Sequence, residues 1–120
     1  MTITFTLPPA RLPREGRKHW TRARKERYDA CLAAQVARVP GTGAVLVRLV
    51  RVARRPCDDD NLRTALKHQR DGVLDATWRC CAEHRGLCGP LHDSTGPDQT
   101  RIEYGQERGK AGTRVEVEAV

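Results

Sequence analysis

The sequence predicts a small α/β domain in which two helices pack on a mixed sheet, in the order β-α-β-α-loop-β-β. Three observations predict it. Stretches alternating with period two stand near the start, in the middle and at the end of the chain. Two long segments with helical spacing lie between them. The 120 residues, 38% of them hydrophobic, suffice for one domain with a single modest core.

Each element has a local reason. Residues 2–7, TITFTL, alternate β-branched and apolar side chains until Pro8-Pro9 stops the run, which makes a strand. From Trp20 to Val39 helix formers dominate. Tyr28, Leu32, Val36 and Val39, spaced by four, four and three, predict one apolar face there. Pro40-Gly41 ends this helix, and Gly-Thr-Gly makes a turn. AVLVRLVRVARR, residues 44–55, is β-branched and half-alternating, a strand ending near Arg54. A second helix is expected from Asp60 to about Ala76, with Leu62, Ala65, Leu66 and Val73 on its buried stripe. Residues 78–98 collect Gly, Pro, Cys and His without a clean period and read mostly as loop. QTRIEYGQ and TRVEVEAV alternate strictly around the turn-like ERGKAG, which predicts a C-terminal hairpin.

Charge narrows the partner. Lys plus Arg number 22 and Asp plus Glu 15, a formal net charge of +7 dominated by arginine. A small basic domain of this kind points to a polyanion, nucleic acid first, because the guanidinium fork matches phosphate oxygens. No apolar run approaches the ~20 residues of a membrane span. The start lacks a basic segment followed by an apolar one, so we expect no signal peptide, no membrane partner and a cytoplasmic location. The five cysteines are odd in number, which argues against a disulfide framework and leaves free thiols or a metal site.

Against this positive background stands CDDDNLRTALKHQRDGVLD, Cys57 to Asp75. One aspartate suffices to cap a helix, at about 0.3–1 kcal/mol for its charge. Three in a row repel unless a cation is bound or one is protonated. Mg²⁺, a hard ion that takes one or two protein carboxylates and keeps its waters, suits the cluster. In an extended lead-in Asp58 and Asp60 point to the same side, while Asp59 points away and caps or is solvated. Asp60, Thr64, Lys67 and Asp71 form a polar stripe, so Asp58, Asp60 and Lys67 are expected to converge at one helix end. Beside a basic surface the natural substrate is a phosphodiester, with the metal polarising phosphate and activating water.

This stretch resembles the signature of the RusA family of Holliday junction resolvases, common in bacteriophages and prophages. The shared pattern is Asp-x-Asp-Asn-Leu, a helix carrying a lysine, an Asp-Gly near its end and a further aspartate downstream. RKHWTRARKER resembles the basic His-Trp segment after the first strand, and IEYGQERGKAG the penultimate strand and turn. The resemblance covers nearly the whole chain as a single RusA-like endonuclease domain, residues 1–120, with residues 77–92 as a family-atypical insert.

What the resemblance implies is a Mg²⁺-dependent endodeoxyribonuclease, with Mn²⁺ as a substitute ion. It would be a homodimer that resolves Holliday junctions and other branched DNA by paired cuts in recombination and repair. A phage or prophage origin in a bacterial cytoplasm goes with it. Catalysis and metal binding fall on Asp58, Asp60 and Asp93, with Asp98 as the reserve for the last. Lys67 takes the lysine role, because the position four residues after the second aspartate, where the best-known pattern has its lysine, holds Thr64. The competing reading of Lys67 is a solvated residue pairing with Asp71 at i+4. Phosphate contacts would come from Arg17, Lys18, Arg22, Arg24, Lys25, Arg54 and Arg55. The alternative is a catalytically impaired protein that binds DNA junctions without cutting them.

The insert raises a separate candidate. Cys80, His84, Cys88 and His92 recur every four residues, and zinc takes such a donor set in structural sites. Gly86, Gly89 and Pro90 argue against the continuous helix that this spacing needs; the other reading is an insertion with reduced thiols, Cys81 among them. A small zinc-bearing interaction module is the third class. His19 and Trp20 lie in the basic segment, Trp20 as core or as a base-stacking residue.

Overall fold

The computed structural model describes residues 2–10, 20–39, 45–77 and 101–119. The elements are β1 (Thr2–Leu7), α1 (Trp20–Val36), β2 (Val45–Ala53), α2 (Asp59–Thr77), β3 (Arg101–Arg108) and β4 (Gly112–Ala119). The strands form one four-stranded mixed sheet in the order β1-β4-β2-β3. β4 runs antiparallel to both of its neighbours, whereas β2 and β3 run parallel.

β2 lies inside the sheet because its sequence can be buried from both edges. Val45, Val47 and Leu49 face the helices and are at most 1% exposed. The same face receives Val115 and Val117 of β4, Leu7 of β1, and the partly buried Ile3, Phe5, Ile102 and Tyr104. Alternation with period two thus decides one sheet face. Leu62, Ala65, Leu66 and Val73 of α2 cover it, all four buried as their spacing predicts. Each fully buried Leu or Val contributes about 1.5–3 kcal/mol. One polar joint crosses this core: Thr113 Oγ1 donates to Gln69 Oε1 at 2.7 Å, and Gln69 Nε2 donates to the Pro8 carbonyl at 2.8 Å.

Two expectations need correction. The predicted C-terminal hairpin does not form. β3 and β4 follow each other in sequence, but both pair with β2, one on each side. The link between them therefore crosses over the end of β2, where Gly109 N–H donates to the Ala53 carbonyl at 3.2 Å. Strict alternation makes both segments strands, but it does not choose the partner. The central place goes to the strand with the most burial to gain.

The predicted apolar face of α1 is also not the buried one. Tyr28, Leu32 and Val36 are 68%, 48% and 76% exposed, and only Val39 of that set is buried. The face turned inward carries Ala30 and Ala34, both fully buried. The reason is the crossing with α2: a Cβ added at Gly72 would run into the Arg27 carbonyl oxygen and come within 2.8 Å of Ala30 Cβ. So close an approach admits only small side chains, and the large ones go outward. The helix stops at Val36 rather than Val39 because Arg38 adopts a left-handed φ of 62°. Val39 N–H then reaches back to the Ala34 carbonyl at 3.2 Å, a Schellman-type end.

α1 and α2 run antiparallel. Ala30 meets Gly72, and three residues earlier Arg27 forms a two-pronged ion pair with Asp75, Nε to Oδ2 at 2.7 Å and Nη2 to Oδ1 at 2.8 Å. Hydrogen bonding to Asp75 raises the Arg27 pKa against the opposing pull of burial. On the open face of the sheet Arg48 sits among Glu103, Glu116 and Glu118 at 3.6, 3.7 and 3.3 Å. Among the described residues no helix is long and apolar enough to cross a membrane.

Candidate nucleic-acid and metal site

The site lies at the corner where β2 leads into α2. After Ala53 the chain bends through exposed Arg54 and Arg55, and Arg51 Nη1 donates to the Arg55 carbonyl at 2.9 Å. Cys57 is then held at both backbone groups by one side chain from β3. Its N–H donates to Gln106 Oε1 at 2.9 Å, and Gln106 Nε2 donates to its carbonyl at 2.7 Å. This clamp fixes where α2 begins.

Asp58 is the N-cap of α2. Its Oδ1 accepts the Asn61 N–H at 2.8 Å, and its carbonyl accepts the Leu62 N–H at 2.9 Å, the first turn of the helix. Asp59 and Asp60 already belong to that turn, at the positive end of the helix dipole. The expected extended segment with Asp58 and Asp60 on one side is therefore replaced by a cap followed by helix. Asp59 is not the capping residue. All three aspartates are exposed. Asp58 Oδ2 and the carboxylates of Asp59 and Asp60 have no partner among the described residues.

Helix N–H groups and the dipole offset part of the repulsion that three carboxylates generate. The free oxygens of Asp58 and Asp60 are hard donors of the kind Mg²⁺ takes, one or two carboxylates with water completing the shell. Among the described residues no group of three or more His, Cys, Asp or Glu side chains could hold a metal ion. Asp93, the expected third ligand, and Asp98, its reserve, lie outside the described residues. So do Arg17, Lys18 and His19, the side chain of Trp20, and the zinc candidates Cys80, His84, Cys88 and His92 with Cys81.

Along α2 the predicted cation is not at the acidic turn. Lys67 is exposed and stands seven residues beyond Asp60, about 10 Å along the axis at 1.5 Å per residue. Its alternative partner is taken: Arg70 holds Asp71, with Nη2 and Nε at 2.9 and 3.1 Å from Oδ1. Thr64, at the position where the best-known pattern has its lysine, donates its hydroxyl to the Asp60 carbonyl at 2.8 Å. The cation one turn from Asp60 is Arg63, exposed, with its guanidinium carbon 5.5 Å from the centre of the Tyr104 ring. Tyr104 is braced from its other end, where Arg70 Nη1 lies 3.1 Å from the phenol oxygen. Burial pulls the Arg70 pKa down, but the contacts with Tyr104 and Asp71 outweigh it and the net shift is upward. Arg63 was visible in the sequence as an i+3 neighbour of Asp60; its aromatic support on a distant strand was not.

The cations of α1 lie elsewhere. Arg22, Arg24 and Lys25 are on the part of α1 that precedes Arg27. Arg27 meets Asp75, fifteen residues after Asp60 and about 22 Å along α2. In an antiparallel pair these cations project beyond that end. Within one chain the cations that precede the acidic turn by a few residues are Arg54 and Arg55, while the α1 cluster lies toward the far end of α2.

No family model matches the chain, and a search of curated proteins finds no match.

Proposed function

We propose that the chain is a Mg²⁺-dependent, structure-specific DNA endonuclease of the RusA kind, which resolves four-way junctions by paired phosphodiester cuts. The observation that carries it is the acidic corner itself. Exposed carboxylates at the start of α2 stand beside the exposed cations Arg54 and Arg55, on a backbone pinned by Gln106. Asp60 is exposed and has no partner among the described residues.

In this reading Asp58 Oδ2 and Asp60 hold the ion, and Asp93 or Asp98 completes the set. Bound Mg²⁺ supplies Lewis-acid activation of water and of the scissile phosphate. Arg54 and Arg55 draw the strand against the corner, and Arg63 or Lys67 faces the charge that develops on phosphate. The α1 cations, ~20 Å or more away, would hold the same DNA about six nucleotides along at 3.4 Å per nucleotide. A homodimer goes with paired cutting, and the exposed stripe Tyr28, Leu32 and Val36 supports it, since apolar side chains gathered on a surface mark contact sites. A phage or prophage protein working in a bacterial cytoplasm is the matching setting.

A second reading has an observation of its own. Asp58 spends one oxygen on the helix cap, and Thr64 turns its hydroxyl inward to the Asp60 carbonyl. A protein that binds junctions without cutting them would look the same. The test is a synthetic four-way junction with Mg²⁺ or with EDTA. The nuclease reading expects paired nicks in Mg²⁺ alone, lost in Asp60→Asn with binding retained; bound but uncut DNA in Mg²⁺ selects the binder.

A further inference from the structure

The link from β3 to β4 does more than join two strands. Because it crosses the end of β2, it brings Arg108, Gly109, Lys110 and Ala111 against Arg54, and these five residues line one open concavity. A second concavity continues from it through Arg54 and Arg108 toward Pro56 and Gln106. The placement is fixed by backbone. Ala53 and Arg108 are register partners in the parallel pair, and Gly109 N–H is tied to the Ala53 carbonyl. A Cβ at Gly109 would come within 3.0 Å of Val52 Cγ1, so the link presses onto the strand it crosses.

The charges lining this hollow are unspent. Arg54, Arg108 and Lys110 are all exposed, and none has an ion pair or side-chain hydrogen bond among the described residues. The acid on the rim, Glu107, is ion-paired with Arg114, whose Nε also lies 2.9 Å from Glu116. Three cations gathered at a concave corner without a counter-charge raise one another's energy, and an anion relieves it.

We propose that Arg54, Arg108 and Lys110 form a phosphate cradle that grips the sugar–phosphate backbone of a nucleic acid strand. The cradle rests on the nucleic-acid half of the function above and names contacts beyond it. Asp58 stands four positions after Arg54, so their Cα atoms lie at most about 14 Å apart. A strand lying in the cradle would thus reach the acidic turn within about four nucleotides at 3.4 Å each. Gln106 serves both features, since it lines the second concavity and clamps Cys57. Cradle and acidic turn therefore keep a fixed spacing, which lets a backbone grip set where along the strand the carboxylates fall.

The experiment is binding of a fluorescent four-way DNA junction by anisotropy in EDTA, over a salt series, with the full chain. Removing one phosphate-binding cation reduces the slope of log K against log salt by about 0.9. Arg108→Ala with Lys110→Ala should flatten that slope by about 1 to 2. Arg101→Ala, which removes one charge at the other end of β3, should leave it unchanged, and Arg108→Lys should retain the slope of the unaltered chain. Circular dichroism checks that these exposed substitutions leave the fold intact. An unaltered slope in the double variant, or an equal drop in Arg101→Ala, overturns the cradle while DNA binding stands. Failure of the unaltered chain to bind any junction overturns cradle and nuclease reading together. Binding without cutting in Mg²⁺ sinks the nuclease reading alone, and the slope still decides the cradle.

Discussion

Asp58 is asked to do two things with one carboxylate, and the two can be separated by substitution. Oδ1 accepts the Asn61 N–H at 2.8 Å, which is a structural use, while Oδ2, without a partner among the described residues, is the oxygen the proposed ion would take. Asparagine caps a helix about as well as aspartate, so Asp58→Asn keeps the hydrogen bond and loses only the charge near the dipole, about 0.3–1 kcal/mol at an exposed site. Alanine loses the cap as well, about 0.5–2 kcal/mol. For a domain of this size 1 kcal/mol moves Tm by roughly 3–6 °C, so thermal unfolding distinguishes the two variants. The nuclease reading expects both to lose Mg²⁺-dependent junction cleavage, with Tm lowered by about 1–6 °C in Asp58→Asn and further in Asp58→Ala, which loses the cap as well. Loss of charge facing phosphate should also leave junction binding by Asp58→Asn equal or tighter. If Asp58→Asn cuts at the unaltered rate, the carboxylate is a helix cap and nothing more, and the metal assignment at this position is wrong.

Gly72→Ala sets two effects of opposite sign against each other: a gain of about 0.8–1 kcal/mol in helix propensity and a clash with the Arg27 backbone that forces α1 away. Overpacking costs about 1–3 kcal/mol and backbone atoms yield least, so urea unfolding should show a lower midpoint; a higher one would mean the helices are not in contact there. Gln106→Ala removes both bonds to the Cys57 backbone, and should cost about 1–3 kcal/mol for the groups left unsatisfied. It should slow junction cleavage more than it weakens binding, and unchanged cleavage in a folded Gln106→Ala would show that the clamp does not position the aspartates.

Much of the secondary structure was legible because its causes are local. Pro8-Pro9 closes β1 at Leu7, and the spacing of Leu62, Leu66 and Val73 names the face of α2 that is buried. Local cues misled where the deciding partner was distant. Tyr28, Leu32 and Val36 look like a core stripe until Gly72 is known to lie against Arg27 and Ala30, at which point only alanines fit. The isolated glycine inside a helical pattern was the available signal. The C-terminal strands look like a hairpin because they are neighbours in sequence, and no local feature says that β2 will come between them. At the site, the acidic triplet at a helix start was plain, whereas the division of Asp58 between cap and free oxygen shows only in the folded chain. Arg108 and Lys110 read as ordinary turn residues, since their meaning comes from Arg54, which pairing alone brings beside them.

The clamp on Cys57 also sets an order of events. Gln106 lies 49 residues further along the chain than the backbone it grips, and it arrives on a strand that joins the sheet parallel to β2. Contacts of such sequence separation come late, because the loop they close must be ordered first. A chain emerging from its N-terminus has its three aspartates and most of α2 long before anything can seat them. The acidic turn thus reaches its final geometry only once β3 has docked, and a half-made chain carries the three aspartates without the frame that seats them.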